Sequence, residues 1–506
     1  MKKIQIITGN KNKVSEYNRY ARDLGFSVMF TAKHIDIPEI QSSDHDAVLR
    51  EKLNYIEKLT ALPFLVEDTV FLTKKYNNFP GTNVKFINQS LGIDGWKKLF
   101  NEGDAIKAVT IIGFSYLGNH HFFIGELDGI LSFKAEYAIN PDAPLNAIFY
   151  VPERNAFLED LVTVDDFENH RKKAFYKLFQ FLEELKQEEI LIQRDTETKW
   201  DDRAEIWEQT LHDEASVVNF EKGYERFSAL LEKFIPIING NVLDIGTGTG
   251  VIAKFIAEKT SADVLGVDMS RSMVERAGKN YSLKNLSFLQ CDIETFLPQI
   301  RFDFVVSRGV LISQMPITRV IDFFEKITEI TNDGAYLIFD FIQNKDKGDF
   351  PSKHITEFSV DQIESIFREL GWVRVYSDGV PGSRVCILVF HKPAQEGIYF
   401  ATSNPIKISE LNNELRDGKK RIYFYGIEID EVKADSLEKI VEEKLKRSYE
   451  IIGYPVLCSD GGIFIEALNG FPGENSKQAA KKIGAEGILK LLKDAGERTA
   501  IRRNCI

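Results

Sequence analysis

Three short segments near the start combine residue types suited to phosphate chemistry. IITGNKNK places Thr8, Asn10 and Lys13 where an apolar run gives way to a helical pattern. A strand-to-helix entry offers free backbone N–H groups to an anion, and an ammonium in the first turn reaches the same anion. LPFLVEDTVFL ends an apolar strand in adjacent carboxylates, Glu67 and Asp68. Carboxylate oxygens hold Mg²⁺, and one of the pair can take a proton from an attacking water. Glu39 in IDIPEIQ is a further candidate metal ligand. FPGTNVK is a Pro-Gly turn with Lys85 near a helix start, a second candidate phosphate contact. Taken singly, each segment also fits a plain turn with a solvated lysine, or an acidic surface loop.

A fourth cluster lies mid-chain. VLDIGTGTG holds Asp244, Gly246, Gly248 and Gly250, and its glycines allow a tight turn and close approach of a ligand. VLGVDMS ends in Asp268, near the ~20-residue separation expected of a carboxylate on ribose hydroxyls. LSFLQCDIETF brings Asp292, and RFDFVVSRGVL ends at Ser307 and Arg308.

The elements that position these residues come in two patterns. From KFIPIINGNVLDIGTGTG, at residue 233, to about residue 394 strands alternate with helices, which predicts a mainly parallel sheet. The flanks instead repeat one another. PFLVEDTVFLTKKYNNFPGTNVK returns as PVLCSDGGIFIEALNGFPGENSK. Glu39, Asp68, Gly81 and Lys85 match Glu431, Asp460, Gly473 and Lys477 at one constant spacing. Asn10 and Lys13 match Asn404 and Lys407 two residues further apart. DAIKAVTIIG corresponds to ERTAIRRNCI, so the second copy reads as a front half only. Its apolar strands then need neighbours; a truncated gene, a vestigial domain and a pseudo-dimer partner for the first copy are the three readings, and docking onto the first copy is the favoured one. The predicted domains are 1–190, 196–394 and 397–506, joined through QRDTETKWDDR and HKPAQEG.

Composition bounds the functions. The 506 residues carry a net charge of −12, which argues against broad binding to nucleic-acid phosphates. No apolar run approaches the ~18–20 residues of a membrane span, and none forms a signal-peptide core. Cys291, Cys386, Cys458 and Cys505 show no CxxC pair, so a reducing cytoplasm is the expected location.

Together TGNKNK, IDIPEIQ, VEDTV and FPGTNVK resemble the inosine triphosphate pyrophosphatase family, over residues 1–186 and again over 397–506. The resemblance implies a two-lobed α/β fold, frequent dimers, and Mg²⁺-dependent hydrolysis of ITP, dITP and XTP to monophosphate and pyrophosphate. It implies that Thr8, Asn10, Lys13 and Lys85 bind the triphosphate. Glu39, Glu67 and Asp68 serve the metal, and Asp68 activates water. In the second copy Asn404, Lys407 and Lys477 take the phosphate places, and Glu431 and Asp460 the metal places. The base-reading half departs from the family: Asn146-Ala147 stands where Asp-Pro is expected, and Asn169-His170-Arg171 where Ser-His-Arg is expected. His170 and Arg171 stay candidate substrate contacts, while base preference, or turnover itself, is expected to change.

The middle segment resembles class I S-adenosylmethionine-dependent methyltransferases over residues 196–394. That implies a Rossmann-like domain, with Asp244 and Gly246 to Gly250 at the methionine part, Asp268 on the ribose and Asp292 at the adenine edge. WDDRAEIWEQ looks like a cap helix, and Trp207 and Tyr224 either face the ligands or pack in the core. Methyl transfer needs little beyond alignment, because the sulfonium is already activated. The expectation is a bifunctional enzyme acting on a nucleoside triphosphate and on a small-molecule methyl acceptor. The alternative is a methyltransferase with inactive nucleotide-binding flanks.

Overall fold

A computed structural model describes residues 3–8, 11–38, 42, 44–60, 62–116, 119–134, 143–164, 166–204, 220–310, 315, 319–342, 358–378, 385–394, 397–402, 405–415, 421–426, 434 and 436–506. They form two compact units, residues 1–192 and 193–506.

The first unit is built on one eight-stranded sheet. Its strands are β1 (Lys3–Ile7), β2 (Met29–Lys33), β3 (Phe64–Thr73), β4 (Phe79–Gly81), β5 (Ala105–Tyr116), β6 (Asn119–Leu131), β7 (Phe149–Val151) and β8 (Ala156–Phe157). The order is β2-β1-β3-β5-β6-β7-β8, with β4 on β3. β1 runs parallel to β2 and to the start of β3; the other pairs are antiparallel. Only Phe64 and Leu65 of β3 pair with β1, after which β3 continues along β5 to Thr73. Glu67 and Asp68 therefore stand mid-strand, where β1 stops, rather than at the end of β3 as the sequence predicts. The helix His45–Glu57 starts at Asp44, whose carboxylate accepts the Ala47 N–H. It buries Val48, Leu49, Leu53 and Ile56 at helical spacing, the last three in one core with Phe64, Val66 and Val109. A second core joins Trp96 and Phe100 to Phe149 and Leu158.

In the second unit a seven-stranded sheet has the order β11-β10-β9-β12-β13-β15-β14. The strands are β9 (Asn241–Ile245), β10 (Asp263–Asp268), β11 (Leu286–Gln290), β12 (Phe302–Ser307), β13 (Thr331–Ile342), β14 (Val373–Asp378) and β15 (Val385–His391). β9 to β13 are mutually parallel, as the alternation predicts, and β15 runs antiparallel between β13 and β14. The chain reverses direction across the sheet between β9 and β12. Such a switch point opens a crevice beyond the strands' C-terminal ends.

The second copy of the repeat shares this unit. β16 (Gly397–Ala401), β17 (Arg421–Tyr425) and β18 (Val456–Cys458) form a parallel sheet. β19 (Asp460–Ile465), β20 (Pro472–Gly473) and β21 (Ala500–Cys505) form an antiparallel one. RIYFY is buried at four of its five positions, so both faces of β17 need cover. That cover comes from the middle domain: Tyr399, Tyr423, Phe424 and Tyr425 share one core with Phe234, Phe304, Tyr336 and Val375. Tyr336 Oη accepts the Phe424 N–H at 2.8 Å, and the Gly426 N–H donates to the Val375 carbonyl at 2.7 Å. Residues on either side of the predicted boundary near residue 396 thus share one core. No helix among the described residues is long and apolar enough to cross a membrane, and all four cysteines are free.

Candidate functional sites

In the first unit the mid-strand carboxylates face different surroundings. The Glu67 side chain is 1% exposed and forms ion pairs with Arg171 at 2.9 Å and Lys13 at 3.2 Å. Tyr17 Oη donates to it at 2.8 Å, and Arg171 also reaches Glu16 at 2.7 Å. Burial pushes the Glu67 carboxyl up, but Arg171 and Lys13 outweigh burial and hold it down at about 2. Asp68 is 29% exposed, and its Oδ2 lies 3.2 Å from Lys52 Nζ. The Thr69 N–H donates to its Oδ1 at 3.0 Å, which fixes the carboxylate plane.

Of the residues singled out in the sequence, the structure thus brings Lys13, Glu67 and Arg171 together, while Asp68 pairs with Lys52. His170 is buried, with Nδ1 2.6 Å from Thr110 Oγ1. Burial, helped by Arg171, pushes it down to about 3, so its ring is neutral. Thr8 follows β1, its N–H donating to the Lys33 carbonyl. Lys85 is exposed in the first turn of the helix Val84–Leu99. Asn10 and Glu39 lie outside the described residues. The reading missed Lys52, Glu16 and Tyr17. The repeat held a signal for Lys52: a lysine, Lys444, stands at the same distance before Asp460.

In the second copy Lys444 pairs with Asp460, and the Gly461 N–H donates to Asp460 Oδ1 at 2.8 Å. This reproduces the setting of Asp68. Ser459 occupies the place of Glu67. Lys407 and Lys477 are exposed, while Asn404 and Glu431 lie outside the described residues.

The second unit holds a cleft at the switch point. Gly246, Gly248 and Gly250 have φ of 71°, 53° and 87°, a left-handed backbone that favours glycine. A Cβ at Gly250 would come within 2.7 Å of the Phe288 ring. The Gly248 N–H and the Ser270 N–H donate to Asp268 at 2.8 and 2.9 Å. Burial nonetheless pushes the Asp268 carboxyl up. Asp244 lies beneath the loop, bonded by Thr247 Oγ1 at 2.7 Å, and burial pushes it up to about 7. Asp292 accepts from Arg319 at 2.9 Å and from Gln193 at 2.7 Å. Gln193, Thr196 and Trp200, from the helix His170–Arg203, also line the cleft, as does Tyr224. The sequence reading missed Gln193 and Arg319, because a helix and a turn far apart in sequence give no local pattern. Trp207 lies outside the described residues.

Comparison with known proteins fits this division. Residues 4–181 and 398–506, together more than half of the chain, match the Ham1 family, and residues 238–370 match a methyltransferase domain. The chain is 38% identical over 101 residues to the dITP/XTP pyrophosphatase of Thermococcus kodakarensis, a stretch covering 20% of this chain and 55% of that protein. It therefore spans about half the length of that relative. It is 31% identical over 188 residues to the inosine triphosphate pyrophosphatase of Ajellomyces capsulatus, covering 36% of this chain and 98% of that one. Among solved structures, the Staphylococcus aureus Ham1 protein aligns at 21% identity and TM-score 0.31, covering 36% of this chain and 98% of its own. A DhpI–SAH complex aligns at 19% and 0.33, covering 40% and 97%.

Proposed function

The chain belongs to the Ham1 family, and on that premise we propose that it is a bifunctional enzyme. Its first unit hydrolyses nucleoside triphosphates, deaminated purine ones above all, to monophosphate and pyrophosphate. Its middle domain transfers a methyl group from S-adenosylmethionine to a small-molecule acceptor. The observation that carries the first half is a partly exposed Asp68 carboxylate, oriented by Lys52 and Thr69 and next in the strand to Glu67, which pairs with Lys13 and Arg171.

Asp68 offers hard oxygen donors at an accessible place, which suits Mg²⁺; Glu67, enclosed by three donors, does not. Asp68 and Glu39 would hold the ion, which when bound offsets triphosphate charge. Asp68 takes the proton from the attacking water. Lys13, with Thr8, Asn10 and Lys85, binds the phosphates, and Glu67 keeps Lys13 and Arg171 in place. In the second copy Lys444–Asp460 persists without a Glu67 counterpart, which favours a non-catalytic role there.

The glycine loop, which lines the cleft and admits no Cβ at Gly246 or Gly250, would hold the methionine part of the methyl donor. Asp268 then faces the ribose and Asp292 the adenine edge. When bound, the sulfonium supplies an activated methyl group. Pyrophosphate release from ITP, XTP, dITP and the four standard triphosphates, with and without Mg²⁺, tests the first activity. Calorimetry with S-adenosylmethionine tests the second. Metal-dependent release favouring ITP or XTP, together with cofactor binding, is expected. Absence of both would sink the reading.

A further inference from the structure

One wall of the cleft in the second unit comes from the end of the helix His170–Arg203. Gln193, Thr196 and Trp200 are spaced three and four residues apart, so they share one helix face, and all three line the cleft. This stretch is tied down at two places. Gln193 Nε2 donates to Asp292 Oδ2 at 2.7 Å, just beyond β11. Asp201 Oδ1 accepts the Ser270 hydroxyl at 2.6 Å and the Ser272 N–H at 3.0 Å, just beyond β10. Ser270 also gives its N–H to Asp268 at 2.9 Å. Asp201 therefore marks the ribose end of the cofactor's place and Gln193 the adenine end, about 12 Å apart along the helix.

Adenine carries a 6-amino group, a donor that needs an acceptor when buried. Asp292 is the first candidate, and its carboxylate is already engaged on both oxygens. Arg319 Nη2 lies 3.2 Å from Oδ1 and 2.9 Å from Oδ2, the Glu294 N–H donates to Oδ1 at 3.1 Å, and Gln193 takes Oδ2. Arg319 offers donors only, and it pairs with Glu294 as well. Gln193 offers what the amine needs. An amide that gives its N–H to a carboxylate keeps its carbonyl oxygen as an acceptor. The carboxylate also fixes which end of the amide is which, because it receives only the NH₂ end.

We propose that Gln193 reads the base of the cofactor: its carbonyl oxygen accepts the 6-amino group of adenine, while its N–H stays on Asp292. The inference rests on the methyl-transfer reading and on adenine lying beside Asp292. Gln193 thereby selects adenine over hypoxanthine, whose 6-oxo group would set oxygen against oxygen. The amide cannot turn over to suit hypoxanthine, since its carbonyl would then face the Asp292 carboxylate. Asp292 thus acts on the base through Gln193, as the group that holds the amide in one orientation.

The test uses the full chain and reads binding alone. Calorimetry with S-adenosylhomocysteine comes first, and no binding there refutes the methyl-transfer reading itself. The deaminated analogue, S-inosylhomocysteine, is titrated next. The natural chain is expected to bind it about tenfold or more weakly. Equal affinity for the two ligands overturns the proposal and leaves the methyl-transfer reading standing, and this comparison needs no variant. Gln193→Leu should weaken S-adenosylhomocysteine about tenfold without weakening S-inosylhomocysteine, so that the preference collapses. A Gln193 that only supports the helix would weaken both ligands alike in that variant. A Gln193 that blocks the base would let the variant bind both more tightly. Either result overturns the proposal.

Discussion

Glu67 and Asp244 are both buried acids, yet their neighbours give them opposite effects on stability. Glu67 is held at about 2 in the folded chain, below its ordinary 4.5. Its contribution is therefore fully present above about pH 4.5 and is lost as pH falls toward 2, a span of about 3 kcal/mol. Melting curves taken between pH 7 and pH 3 should fall more steeply for the natural chain than for Glu67→Gln. Equal slopes would show that the Arg171–Glu67–Lys13 cluster adds nothing. Asp244 is pushed up to about 7 from its ordinary 3.8. Ionising it costs stability, and that cost grows as pH rises from about 4 to about 7. Asp244→Asn should match the natural chain near pH 4 and melt at a higher temperature above pH 7, measured without cofactor. A difference that does not change with pH would mean that Asp244 ionises freely in the folded chain.

At the scale of elements, the packing of β16 and β17 ties the second copy to the middle domain. Phe424 is 1% exposed, with its ring 5.1 Å from Phe234 and its N–H bonded to Tyr336. Phe424→Ala should cost about 3–5 kcal/mol, read as a lower denaturation midpoint of the second unit. Tyr336→Phe, which strips a buried N–H of its partner, should cost about 1–3 kcal/mol. Losses below 0.5 kcal/mol in both would contradict a shared core. Much of this fold was legible in the sequence. Gly246 to Gly250 and the acids Asp268 and Asp292 announced a strand–loop–helix series, because each is a local requirement of one turn. The repeat announced the second copy through matched residues such as Asp68 and Asp460. The cover of RIYFY was not legible, since an apolar run states only that cover is needed. Nor was the length of β3, where pairing with β5 carries the strand past two charged residues.

For the whole molecule, the repeat has divided its labour. The first copy keeps the paired carboxylates and their cations, while the second keeps Lys444–Asp460 and lends its aromatic strands to the middle domain. A chain ended after residue 394 should expose Phe234, Tyr336 and Val375 as an apolar patch. It should precipitate, or melt at least about 10 °C lower by calorimetry, with weakened cofactor binding. A truncated chain as soluble and heat-stable as the full one would refute the structural role of the second copy. Hydrolysis at the first copy alone is tested in one assay. Pyrophosphate release from ITP with Mg²⁺ is measured for the natural chain, Asp68→Asn and Asp460→Asn. Equal release is expected from the natural chain and Asp460→Asn, and a drop of about 10²–10⁴-fold in Asp68→Asn. Release undiminished in Asp68→Asn, or none from the natural chain, would contradict it.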